Sequence, residues 1–94
     1  MNKLEIAREI INEVDKEMIT LFIKRMEAAK MVAEYKKENK LPVLDSKREE
    51  LLINKNISLL DNKELEEYYL TFLEGVLTAS KNYQKDLIKW NMHY

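Results

Sequence analysis

The 94-residue sequence has no cysteine, which excludes a disulfide scaffold, a thiolate zinc site and a catalytic thiol. Its single histidine, His93, stands beside the C-terminus, and one imidazole cannot build a histidine metal cluster. No structural metal is expected. Charge of one sign is also missing: 16 Lys+Arg against 17 Asp+Glu give a net charge of −1. The overall basic footprint of a nucleic-acid binder is therefore absent, and any cationic site has to be local. No run approaches the roughly 18 apolar residues of a membrane span. The opening MNKLEIAREIINEV carries Glu5, Arg8 and Glu9 where a secretory signal needs an unbroken apolar run. These absences point to a soluble cytoplasmic protein. The length allows one small domain over residues 1–94, since two separate cores would each fall near the size that needs disulfides or metals.

Glycine and proline, the strongest breakers of regular structure, occur once each. Few turns are left. Pro42 in NKLPVLD divides the chain, and the rest reads as an all-α protein of three helices, long, short and long. Asn2 can cap the first helix, with Glu5 reaching back as in a capping box, and nothing interrupts it from Lys3 to about Glu38. Its apolar residues step by three and four through Leu4, Ala7, Ile11, Val14, Met18 and Leu21, then Ala28, Val32 and Tyr35, with Arg25 filling the missing step. Such a helix is roughly 50 Å long, whereas a compact globule of this length has a radius of gyration of about 12 Å. The seam must find another surface to cover it, and dimerisation is the simplest answer.

Asp45 or Ser46 can cap a second helix, Ser46 through a capping box with Glu49, and Leu52, Ile53, Ile57 and Leu60 continue it to about Asp61–Asn62. The third helix follows with Leu65, Tyr69, Leu73, Val76, Ser80, Tyr83, Leu87, Trp90 and Tyr94, each three or four residues from the last. Gly75 sits inside it. An interior glycine costs about 1 kcal/mol relative to alanine and usually has a packing reason, such as close approach of another helix.

Arg8, Arg25 and Arg48 are the only arginines, against thirteen lysines. Arginine offers a rigid fork that binds carboxylates or phosphates bidentately, so a lysine-preferring chain that keeps three arginines points to that geometry, with surface ion pairs as the alternative. Arg25 replaces an apolar residue in the seam. It must snorkel to water, pair with an internal acid or face an anionic ligand, and its position favours the last two. Lys36 lies eleven residues on, about 16 Å along nearly the same face, so the two side chains could close onto one small anion. The alternative for Lys36 is a solvated end in YKKENK. Asp45, Arg48 and Glu49 share a face of the second helix's first turn, where acids are also favoured by the helix dipole alone. Ser80 and Gln84, at i and i+4, put a polar strip into an apolar helix, although Ser80 could simply bond back to a carbonyl.

Taken in order, R-x-x-I-x-x-V-D at Arg8, Ile11, Val14 and Asp15, then Arg25, Lys36, PVLDSKRE from Pro42 to Glu49, and S-x-x-x-Q at Ser80 and Gln84 resemble the all-helical (type II) chorismate mutases. The resemblance runs from about residue 4 to Gln84. It implies an intertwined homodimer of three-helix chains with two equivalent sites that converts chorismate to prephenate without cofactor or metal. On that resemblance Arg8 would come from the partner chain and, with Arg25, hold the substrate carboxylates. Lys36 would reach a carboxylate and the ether oxygen, and Gln84 would donate to the same oxygen. Asp45, Arg48 and Glu49 would line the site, Glu49 receiving the ring hydroxyl, while Ser80 assists a carboxylate. An isochorismate pyruvate lyase is a related alternative, disfavoured by the complete D-x-x-R-E arrangement. A helical dimerisation or regulatory module without chemistry is a third, disfavoured by Arg25 and Ser80 inside the seams.

Overall fold

In the computed structural model, which describes the backbone of residues 1–91 and the side chains through Lys89, three helices follow one another. They are α1 (Lys3–Glu38), α2 (Ser46–Leu60) and α3 (Glu66–Asn91), with a single 3-10 turn at Lys63–Leu65 leading into α3. The expectations for Trp90 and Tyr94 lie outside the described side chains. No helix among the described residues is long and apolar enough to cross a membrane.

The ends of the helices are set by side chains and by two left-handed residues. Asn2 accepts from the Glu5 amide at 2.9 Å and starts α1, while Asp45, not Ser46, caps α2 by accepting from the Arg48 amide at 3.0 Å. The capping box expected between Ser46 and Glu49 is thus replaced by a simple N-cap one residue earlier, and the Glu49 side chain goes elsewhere. Helix α1 stops in a Schellman arrangement: Leu41 N–H reaches back to the Lys36 carbonyl at 2.8 Å and Lys40 N–H to Lys37 at 3.3 Å. Lys40 has φ 55° there, the position usually given to glycine, and Asp61 ends α2 with φ 46°. Pro42 then prevents the helix from resuming.

Helix α3 is the common partner, packing against both α1 and α2, which do not pack against each other. Residues around Phe22 and Arg25 share a groove with Phe72 and Val76, and Ala33 shares a crevice with Leu87, so α1 and α3 run in the same direction. Helix α2 runs back antiparallel to α3, with Glu49 level with Lys81 and Leu52 and Asn56 level with the Tyr69–Val76 stretch. On α3 the buried residues are Leu73, Leu77, Ser80 and Gln84, close to the expected seam with Leu77 and Gln84 added.

On α1 the packed face differs from the expected one. Ala29 and Ala33 are buried, with Arg25, Met26 and Lys36 half-buried beside them, whereas Ala28, Val32 and Tyr35 face outward. Arg25, Ala29, Ala33 and Lys36 are spaced by four, four and three, a stripe that follows the 3.6-residue turn, and the small alanines admit α3 closely. The preceding six turns are largely uncovered: Leu4, Ile6, Ile10, Ile11, Val14, Met18, Ile19, Leu21, Phe22 and Ile23 are all exposed. The molecule measures 57 × 28 × 15 Å with a radius of gyration of 16.8 Å, well above the ~12 Å of a compact chain of this length.

Gly75 has no close neighbour that explains it, since a Cβ built there meets nothing within 4 Å. The expected close approach of another helix is absent within the chain. Gly75→Ala should therefore stabilise the protein by about 0.5–1 kcal/mol through backbone entropy, read as a higher urea midpoint. A lower midpoint would mean that another surface needs the missing methyl group.

Candidate active site

A groove of about 790 Å³ runs between the three helices. Its walls are mostly apolar, from Leu21 and Phe22 of α1, Leu52 of α2, and Tyr69, Phe72, Leu73 and Val76 of α3; Arg25 and Arg48 bring two guanidinium groups to it from different helices, and Asp15 of α1 and Asn56 of α2 are its other polar lining residues. Arg25 is half-buried and Arg48 exposed. Neither pairs with a carboxylate among the described residues, where the ion pairs are Lys16–Glu13 and Lys81–Glu49. Of the partners open to Arg25, an internal acid of the same chain is therefore not used. Two unpaired forks over an apolar wall suit a flat molecule that carries carboxylates.

Lys36, in the last turn of α1, is not among the groove's lining residues and is tied to the loop that follows the helix. Its Nζ donates to the Val43 carbonyl at 2.7 Å in a partly buried position, so it is not a solvated end of the YKKENK run. An ammonium has three protons, and this anchor uses one of them. Lys36 and Arg25 do lie on one face of α1, as the spacing predicts, with Ala29 and Ala33 between them. Asp45 is exposed and its carboxylate caps α2, which is the ordinary role of an acid at a helix start. Glu49, one turn on, points across to α3 and meets Lys81 at 3.0 Å.

Ser80 and Gln84 are both 7% exposed, the two buried polar residues among the described ones. Gln84 Nε2 donates to Ser80 Oγ at 3.2 Å, so Ser80 serves its neighbour and not a backbone carbonyl. Gln84 Oε1 is buried without any partner. A buried orphan acceptor is costly, on the order of 1–3 kcal/mol. Turning the amide over removes the cost on one side: Oε1 then accepts from the Ser80 hydroxyl, and Nε2 takes the orphan position with two protons to offer an incoming acceptor. In either orientation the pair keeps one unsatisfied hydrogen-bonding position of Gln84 inside an apolar helix packing.

Arg8 is not brought to this place. It is exposed on the second turn of α1, seventeen residues before Arg25, or about 26 Å along the helix axis. Lys81, conversely, was not singled out by sequence reasoning. The signal was its place directly after Ser80 and three residues before Gln84, which puts a cation on the edge of the polar strip. Among the described residues no group of three or more His, Cys, Asp or Glu could hold a metal ion.

The family model of chorismate mutase type II matches residues 7–85. Among curated relatives, the bifunctional chorismate mutase/prephenate dehydratase of Buchnera aphidicola subsp. Schizaphis graminum is 35% identical over 86 residues, covering 85% of this chain and 22% of the relative. The protein of the same name from subsp. Baizongia pistaciae is 34% identical over 90 residues, covering 94% of this chain and 24% of the relative. The chain thus spans about a quarter or less of the length of these relatives. No solved structure matches it. With the matched stretch containing all three arginines, Lys36, the Asp45–Glu49 turn and the Ser80–Gln84 pair, the chain belongs to the chorismate mutase type II family.

Proposed function

We propose that this chain is a chorismate mutase that rearranges chorismate to prephenate in the cytoplasm, as a single domain, without cofactor or metal, in a homodimer whose two sites each borrow Arg8 from the partner. The observation that carries the reading is the pair of arginines, Arg25 and Arg48, that line one apolar groove without a carboxylate partner among the described residues. The uncovered apolar length of α1 supports the dimer, because a second α1 is a surface of matching length and character.

The reaction is a unimolecular pericyclic rearrangement of a dianion, so it requires no nucleophile and no general base. What the protein supplies is conformational capture and charge. Bidentate arginines hold the flexible enolpyruvyl arm over the ring in the reactive arrangement, which removes part of the entropic barrier. Negative charge grows on the ether oxygen as its bond to the ring breaks. Lys36, held by Val43 with two protons free, and Gln84, with its amide turned over, are the donors for that oxygen. Their contribution is larger in the transition state than in the ground state, so it accelerates the step instead of only tightening binding.

The test is product identification after incubating the purified protein with chorismate and, separately, with isochorismate. Prephenate from chorismate is the expected result. Release of pyruvate from isochorismate with chorismate untouched would assign the lyase instead, and inertness toward both would leave a helical association module.

A further inference from the structure

We propose that Lys81 is a positioning residue of this site, acting through Glu49. Of the thirteen lysines, only Lys36 and Lys81 are drawn out of full exposure, and Lys36 is the one already placed against the loop. Lys81 reaches from α3 to α2 and meets the Glu49 carboxylate at 3.0 Å, with the two side chains 29% and 25% exposed. The other ion pair among the described residues, Lys16–Glu13, joins neighbours on one helix with side chains 75% and 72% exposed. Lys81–Glu49 is therefore the pair that ties two helices together, and it does so beside the buried Ser80 and one turn from Gln84.

The physical reason for such a pair lies in the charge of the ligand, so the inference rests on the reading above. A pocket for a dianion that also holds a carboxylate for the ring hydroxyl opposes its own substrate. A lysine against that carboxylate cancels the repulsion and fixes the carboxylate's direction, and the pair is screened less than a surface one because both partners are partly covered. The substrate carries its charges both before and during the rearrangement. Cancelling a repulsion acts on both stages nearly equally, so it changes KM more than kcat.

The experiment measures kcat and KM for chorismate in the full chain as wild type, Lys81→Met, Lys81→Arg, Glu49→Gln and the double variant Lys81→Met/Glu49→Gln. Lys81→Met should raise KM about tenfold with a change in kcat of no more than about threefold, and Lys81→Arg should recover most of the loss. In the Glu49→Gln background, where no carboxylate is left to neutralise, Lys81→Met should change KM by less than about twofold. A Lys81→Met enzyme with wild-type kinetics, or an equal penalty in both backgrounds, overturns the positioning role while wild-type turnover leaves the mutase reading standing. A wild-type protein that does not convert chorismate overturns both. Helical content by circular dichroism separates a kinetic loss from misfolding, and the double variant and Lys81→Arg keep the test open if Lys81→Met alone folds poorly.

Discussion

Mixing Arg8→Ala chains with Arg25→Ala chains should restore activity that neither has alone. Each substitution removes charged hydrogen bonds worth about 1.5–3 kcal/mol apiece from a carboxylate, and a lost fork removes two, so each pure variant should fall by at least about 100-fold. The two arginines are about 26 Å apart along α1, and Arg8 is about 42 Å from Lys36, so one helix cannot bring all three to one small molecule. An antiparallel partner can. A heterodimer of the two variants has one site with both arginines and one with neither. Random redistribution makes half of the dimers mixed, which predicts about a quarter of wild-type activity per chain. The measurement is the rate of chorismate loss after the chains have been unfolded together and refolded, compared with each variant treated alone. Activity that stays at the level of the single variants would remove the shared site, and with it the role of Arg8.

The second large effect is a change in the shape of the pH profile. Gln84→Glu replaces an amide that donates at any ordinary pH by a carboxyl that donates only while protonated. Gln84 is 7% exposed and sits against the Ser80 hydroxyl, so a glutamate there is desolvated, and a nearby dianion disfavours its charged form further. Both effects raise its pKa above the ordinary value of about 4.3. The donor is present below that raised pKa and is lost as pH rises through it, with the new carboxylate then opposing the charge that grows on the ether oxygen. The variant should be active mainly in acid and at least roughly tenfold slower than wild type at neutral pH, corresponding to about 1.5 kcal/mol. Rates of chorismate loss for both proteins between about pH 4.5 and 8 decide it, since that range brackets the raised pKa. Parallel profiles would mean that Gln84 does not face the breaking bond.

The order of the helices was legible because so little in the chain can interrupt one. Asn2 and Asp45 mark the starts of α1 and α2 to the residue, and α1 ends at Glu38, four residues before Pro42. The stripe on α1 was misread after Arg25 for a reason of size: Val32 and Tyr35 dominate any hydropathy reading, while Ala29 and Ala33, which do the packing, contribute little to it. The carboxyl half of α1 in fact carries two apolar faces, and only one of them meets α3. The left-handed turns at Lys40 and Asp61 were not legible either, because neither is a glycine and the backbone bonds that enforce them belong to the preceding helix. In the site, contacts within one turn of helix could be read from spacing, such as Ser80 with Gln84. Glu49 with Lys81 joins residues on different helices, and no local period encodes it. Arg25 stands out by filling a step of the apolar seam and Arg48 by its face of the second helix's first turn, and the fold adds that they share one groove.

The buried apolar interior of the described chain amounts to Ala29, Ala33, Leu73 and Leu77, and no side chain in it is wholly enclosed. An isolated copy therefore has little to fold around. In the proposed dimer the hydrophobic core is completed by a second molecule, so folding becomes a second-order process and dilution acts as a denaturant. The cell's supply of this protein would then set its folded fraction as well as its amount, and a newly made chain would await a second one before it could bind substrate. A substitution at Ile10, Val14 or Ile19, which looks like a surface change in one copy, would behave as a core change with the cost of one.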